Sequence, residues 1–141
     1  MQTEQKRLEY LNKELGTDYK SLDKVNWYWI SKNQILSDDF IREFKDEVDW
    51  INISKYRILS ESFIREFSDK VDWDYISEYQ KLSEEFIREF KDNLNWDKIS
   101  AYQILSEDFI IEFQDKVNWE NILFFQKLSK DFKREFHDRI K

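Results

Sequence analysis

The chain has 141 residues, of which 18% are aromatic and 38% are charged, and its net charge is −7. The aromatic content provides enough apolar area for a packed core, which excludes disorder, and the absence of cysteine excludes disulfide and thiolate chemistry. No basic stripe suited to nucleic acid is present, and no apolar run reaches the roughly 18 residues of a membrane span.

The N-terminal segment 1–25 predicts a degenerate capping helix pair. Residues 2–15 have leucines on one helical face, and Gly16, the single glycine of the chain, is suited to end that helix. Residues 17–25 predict a shortened second helix with Thr17 as its N-cap. The opening residues also lack the apolar segment of a secretory signal, which predicts a cytoplasmic protein.

The segment 26–141 contains one pattern that returns five times with a constant 23-residue period. Every repeat has isoleucine three positions after its tryptophan, leucine at nine, and phenylalanine at thirteen and seventeen, spacings that are typical of helices. The tryptophans that mark the period are Trp27, Trp50, Trp73, Trp96 and Trp119.

Each repeat must contain two helices, because one continuous helix of that period would rotate its apolar stripe by roughly 140° from repeat to repeat. Two sets of polar residues provide the N-caps for helices of about 9–10 residues each. One set precedes each tryptophan: Asn26, Asp49, Asp72, Asn95 and Asn118. The other precedes each Phe-Ile or Phe-Lys pair: Ser37, Ser60, Ser83, Ser106 and Ser129.

Helices this short are marginal alone and need neighbouring repeats to stabilise them. The sequence therefore predicts an all-α protein, a right-handed two-layer α-solenoid of about six helix pairs and about twelve helices in one continuous domain. Lys133 replaces the core isoleucine of the last repeat, and further basic residues surround it, which predicts a polar C-terminal cap. These residues are Lys130, Arg134, Arg139 and Lys141.

The string LSESFIREFSDKVDWDYISEYQ, from Leu59 to Gln80, resembles short tandem repeats of uncharacterised proteins of phages and large DNA viruses. The resemblance covers residues 26–141 and brings no family function with it. It implies interference with a host protein as a role, in the cytoplasm of the host cell.

Catalytic and metal-binding chemistry is not indicated. The repeated serines have no histidine partner in their repeats and are explained as caps, and His137 alone cannot form a zinc site. The repeated carboxylates predict a solvated face that pairs with an arginine column, including the pairs Glu66–Lys70 and Glu112–Lys116. We expect no enzyme activity, no cofactor and no metal. The repeated tryptophan, tyrosine and phenylalanine columns predict core.

Residues that depart from the repeat carry the functional information. Positions one, two and five after tryptophan lie away from the predicted core stripe, so apolar residues there indicate a contact surface or packing against the end caps. The candidate partner-binding residues at these positions are Tyr28, Trp29, Ile51, Tyr75 and Phe124. Ile111, which interrupts the arginine column of the second helix, is a further exposed apolar candidate.

The predicted function is a non-catalytic scaffold that binds a protein partner, as an inhibitor or adaptor acting on a host defence protein. Two alternatives remain open. One is an acidic mimic of nucleic acid, which the arginine column argues against because mimicry needs carboxylates without intervening cations. The other is a self-assembling structural protein, which the polar C-terminal cap argues against.

Overall fold

The computed structural model describes residues 3–139, and in this range every regular element is a helix. Helix pairs recur with the 23-residue period of the sequence and contact their neighbours, which confirms a helical repeat protein of the α-solenoid type. The chain divides into two compact units, whose described parts are residues 3–57 and 58–139. The predictions for Ile140 and Lys141 lie outside these residues. None of the helices described has the length and apolar character that crossing a membrane requires.

The described part of the first unit, residues 3–57, contains four α-helices and one short 3₁₀ turn. They are α1 (Glu4–Leu15), the 3₁₀ turn Leu22–Lys24, α2 (Trp27–Asn33), α3 (Asp38–Glu43) and α4 (Trp50–Tyr56).

Helix α1 packs on α3 and ends where the sequence predicts. Gly16 adopts a left-handed backbone with φ of 65°, and its N–H donates to the Asn12 carbonyl. The Tyr10 ring stacks on Phe40 at 6.1 Å between centroids, while the Arg7 guanidinium donates to the Glu43 carboxylate at 3.1 Å. Because α3 is the second helix of its repeat, α1 takes the place of a preceding second helix.

The prediction of a second capping helix over residues 17–25 is wrong. Asn12 holds this segment as a loop: its amide donates to the Tyr19 carbonyl, and its oxygen accepts from the Tyr19 N–H, both at 2.9 Å. The Thr17 hydroxyl donates to the Asn12 oxygen, and no helix starts at Thr17. Only Leu22–Lys24 forms a helical turn in this segment.

The second unit repeats one helix pair along its length. Its elements are α5 (Glu61–Glu66), α6 (Trp73–Tyr79), α7 (Glu84–Glu89), α8 (Trp96–Tyr102), α9 (Glu107–Glu112), α10 (Trp119–Phe125), α11 (Lys130–Glu135) and the 3₁₀ turn His137–Arg139. The first helix of each repeat contacts the first helix of the next, so α8 lies between α6 and α10.

Both sets of predicted N-caps are confirmed. In the third repeat, the Asp72 side chain accepts from the Tyr75 N–H and the Ser83 hydroxyl accepts from the Phe86 N–H. The corresponding side chains in the other four repeats make the same bonds. Each cap satisfies one of the N–H groups that a helix start leaves without a partner.

The helices are shorter than predicted, with seven residues in the first helix and six in the second. The first ends because the residue that follows it is extended, as at Gln80 with φ of −91° and ψ of 145°. The second ends in a turn: the Phe67 carbonyl accepts from the N–H groups of both Lys70 and Val71. These bonds complete the helix end without another α-helical turn.

The core lies between the two helical layers. The Phe109 and Phe113 rings are 4.7 Å apart, and the Trp96 ring stacks on Phe113 at 5.1 Å. Ile99 and Ile110 are fully buried beside them. Burying such a side chain stabilises a fold by about 1.5–3 kcal/mol, so the recurring aromatic stack compensates for the short helices.

Candidate partner-binding surface

The sixth residue after each tryptophan forms a row of half-exposed aromatic side chains in the second unit. Tyr79, Tyr102 and Phe125 leave 48%, 54% and 53% of their surface exposed, and the last two rings stack at 6.2 Å. The prediction that the tyrosine column is core is wrong. The seventh position, occupied by Gln80 and Gln103, turns inward instead, and position six points about 100° away from it.

A groove of about 630 Å³ follows this aromatic row between α6 and α8. We call it the tyrosine groove, and its lining includes Glu78, Tyr79, Lys81, Glu84, Tyr102 and Ile104. Ile104 is 86% exposed although its side chain is wholly apolar. Two rings and one exposed isoleucine around a concave surface are the side chains that protein interfaces use as anchors.

A buried glutamine supports the wall of the tyrosine groove. The Gln103 amide donates to the carbonyls of Ser77 and Gln80 at 2.8 and 2.7 Å, and its oxygen accepts from the Leu82 N–H at 3.0 Å. Gln126 makes the corresponding bonds one repeat later. The extended segment after each first helix is therefore held to the next repeat, which leaves the tyrosine groove with an ordered backbone wall.

The carboxylates of the tyrosine groove are already engaged. Glu78 lies 2.7 Å from the Lys98 ammonium, and the hydrogen bond to Glu78 raises the pKa of Lys98. Glu84 accepts from the Ser106 N–H at 2.7 Å and from the Ser106 hydroxyl at 3.1 Å. Within residues 3–139, no carboxylate pairs with the exposed ammonium of Lys81. The groove thus offers a positive group between apolar walls.

The second-helix layer carries a ladder of ion pairs between repeats. Arg65 donates to Glu89 at 2.9 Å, and Arg88 donates to Glu112 at 3.0 Å. The bond to Glu112 raises the pKa of Arg88. The predicted pair Glu112–Lys116 is wrong, because Glu112 bonds Arg88 of the preceding repeat and the Lys116 ammonium lies 4.0 Å from Asp92. Stacking of the repeats thus pairs each of these arginines with a glutamate of the following repeat.

The six residues predicted from the sequence lie on five helices. Tyr28 and Trp29 of α2 and Ile51 of α4 are exposed in the first unit, as are Ile111 of α9 and Phe124 of α10 in the second. Tyr75 of α6 is half-buried, contrary to expectation, and its ring lies 5.9 Å from Tyr79. Ile111 belongs to the second-helix layer, whereas the aromatic row belongs to the first. Within the second unit, Ile111 therefore lies in a different layer from Tyr75 and Phe124.

The residues of the tyrosine groove escape sequence reasoning because they repeat. Tyr79 and Tyr102 recur at a constant position and resemble core, although the column two positions later holds both isoleucine and lysine, as at Ile104 and Lys81. Lysine in an internal repeat, at Lys81, is not compatible with a core column, and that signal would have identified an exposed position. A second signal was the glutamine directly after each of these tyrosines, because this residue, as at Gln103, is the one that turns inward.

The tyrosine groove brings aromatic, aliphatic and charged side chains together. No three histidine or carboxylate side chains in the described part of the chain lie close enough to hold a metal ion. Comparison with protein-family models, with curated proteins and with solved structures found no match to this chain. The function must therefore be argued from the surface itself.

Proposed function

We propose that this chain is a non-catalytic repeat scaffold that binds a protein partner in the tyrosine groove. The observation that carries the proposal is the exposure of Tyr79, Tyr102 and Ile104 around one concave surface. Tyrosine provides a large contact area at a small cost in side-chain entropy, which is why it is enriched where interfaces have their strongest contacts.

The occupant that fits this groove is a peptide segment in which a carboxylate is flanked by apolar side chains. The apolar residues would pack on Tyr79, Tyr102 and Ile104, and the carboxylate would pair with the Lys81 ammonium. Glu78 and Glu84 do not oppose this arrangement strongly, because Lys98 and Ser106 engage them. Charge complementarity of this kind selects partners more than it adds affinity.

The resemblance to repeat proteins of phages and large DNA viruses supports a host protein as the partner, with this chain as an inhibitor or adaptor. Mimicry of nucleic acid is supported less well. It would need rows of uncompensated carboxylates, whereas Arg65 and Arg88 neutralise Glu89 and Glu112.

The test uses a library of random dodecapeptides displayed on phage, selected on the immobilised full-length chain. We expect enriched peptides in which Asp or Glu stands between aromatic or aliphatic residues. A labelled peptide from the selection should bind at least fivefold more weakly to the Tyr102→Ala and Lys81→Glu variants. Ile111→Ala is the matched control, since it removes an exposed apolar side chain outside the groove.

Two results would overturn the proposal. One is an enriched peptide class without an acidic residue whose affinity does not change in Lys81→Glu. The other is binding that persists in Tyr102→Ala and is weakened by Ile111→Ala. Circular dichroism of each variant confirms that the helices are retained.

A further inference from the structure

The side of a first helix that receives the next repeat can be identified from its bonds. In α6, the Asp74 carboxylate and the Ser77 hydroxyl both accept from Asn95 of the next repeat, and the Glu78 carboxylate binds the Lys98 ammonium. These residues stand one, four and five positions after the tryptophan. Positions one, four and five therefore face the next repeat.

In α10 these three positions hold Glu120, Leu123 and Phe124, which we call the end face. Leu123 and Phe124 are 38% and 80% exposed, and Phe124 makes an edge contact with Phe125 at 4.8 Å. Leucine replaces the serine that accepts the N–H of the next repeat in α6 and α8. The end face therefore cannot bind a repeat of the internal kind and is suited to an apolar surface.

The second-helix layer does not share this character. Lys133 of α11 replaces the buried isoleucine of earlier repeats, and Lys133 and Arg134 are exposed. A head-to-tail stack of chains would cover both layers and would leave these cations under an interface. Only the first-helix layer therefore presents an apolar surface that a second molecule could cover. The predicted polar C-terminal cap describes α11 but not α10.

We propose that the end face is a dimerisation surface, at which α10 packs antiparallel on α10 of a second copy of this chain about a two-fold axis. Leu123 and Phe124 would pack on their own counterparts. Glu120 lies at the start of α10 and Lys127 just beyond its end, both are exposed, and neither has an ion-pair partner within residues 3–139. Antiparallel pairing places Glu120 of each copy opposite Lys127 of the other, so the face is complementary to itself.

The size of the end face predicts a weak dimer. With about 200 Å² for a phenylalanine, the apolar residues of the end face, Leu123 and Phe124, expose roughly 220 Å² in each copy. Two such faces bury about 450 Å², below the roughly 1,200 Å² at which stable interfaces begin, so we expect a weak dimer with a dissociation constant on the order of 100 μM. The dimer forms at high local concentration and leaves α11 in solvent.

Sedimentation equilibrium of the full-length chain tests the proposal at concentrations between about 10 μM and 1 mM. This range brackets the dissociation constant expected for so small an interface. We expect the mass to rise from monomer to dimer and to stop there. Phe124→Asp should weaken the dimer at least tenfold. Glu120→Lys and Lys127→Glu should each weaken it severalfold, and the double variant should recover most of the affinity, because it restores opposite charges across the axis.

Ile104→Asp is the matched control, since it places the same aspartate in the tyrosine groove and should leave the dimer unchanged. A monomer mass at the highest concentration would overturn the proposal, as would a dimer that Phe124→Asp leaves intact or a mass that rises beyond the dimer. Failure of the double variant to regain affinity would rule out the antiparallel arrangement. Peptide binding in the tyrosine groove is measured separately, so the two proposals can fail independently.

Discussion

The Gln103 amide nitrogen lies 2.7 Å from the carbonyl oxygen of Gln80, which occupies the same position one repeat earlier. Gln103 is 5% exposed and also bonds Ser77 and Leu82, so one side chain satisfies three backbone groups of the preceding repeat. The connection between repeats in the second unit is therefore polar as well as aromatic, and its contribution to stability can be measured.

Replacing Gln103 with leucine keeps the volume of the side chain and removes all three bonds. The carbonyls of Ser77 and Gln80 and the Leu82 N–H would lose their partner in a buried setting. We expect the free energy of unfolding in urea to fall by about 2–4 kcal/mol. Gln5→Leu is the control, because the Gln5 bond to Glu9 is exposed on α1, and a change within about 0.5 kcal/mol is expected. Equal losses in both variants would contradict this role for Gln103.

Replacing Gln103 with glutamate should make stability depend on pH. The carboxyl group would face two carbonyl oxygens in a buried position, so its pKa in the folded state would rise above its unfolded value of about 4.3. A raised pKa favours the protonated form in the folded protein. The stability deficit relative to the natural chain should therefore be smallest below about pH 4 and should grow as the pH rises to about 7. Urea denaturation at both values measures it, and a deficit that does not vary with pH would refute the prediction.

Ser77 should contribute to stability although it caps no helix. Its hydroxyl is fully buried, accepts from the Asn95 N–H at 3.0 Å and donates to the Trp73 carbonyl at 2.7 Å. Ser77→Ala leaves the Asn95 N–H without this acceptor, and we expect thermal and urea unfolding to show a loss of about 1–3 kcal/mol. Ser62→Ala, which truncates an exposed serine on α5, should change stability by less than about 0.5 kcal/mol. A Ser77→Ala protein as stable as this control would show that the bond from the Asn95 N–H makes no net contribution to the free energy of unfolding.

The ion-pair ladder of the second-helix layer stops at Ile111, which stands where Arg65 and Arg88 stand in earlier repeats. Ile111→Arg would place a guanidinium at the position from which the arginines reach the glutamate of the next repeat, here Glu135. We expect a gain of about 0.2–1 kcal/mol at low salt, since exposed pairs are weak.

Ile111→Gln is the control for this change, because it removes the exposed isoleucine without adding charge. The difference between the two variants should shrink in about 0.5 M salt, where charges are screened within a few ångströms. A gain that is the same in both variants, or that does not depend on salt, would mean that the new residue acts without pairing Glu135.

The 23-residue period, the two helices per repeat and both sets of caps follow from the sequence, because these are local properties. Apolar residues spaced three and four apart show that these stretches are helical, and the N-caps Ser60 and Asp72 determine where the helices that contain Phe63 and Trp73 start. The inward positions of the isoleucines and phenylalanines follow from the same spacing. Gly16 likewise ends α1 through its own backbone freedom.

The tertiary structure alone decided which repeated residues leave the core and which bonds join the repeats. Tyr102 and Gln103 are adjacent and recur with equal regularity, yet one is half-exposed and the other is buried. Their difference depends on carbonyl groups of the preceding repeat, those of Ser77 and Gln80, which only the stacking of repeats brings near. The exposed end face of α10 is also a tertiary property, because it becomes visible only when the side that receives the next repeat is known. Contacts between distant residues, which no local pattern encodes, thus determine where this protein presents its apolar surface.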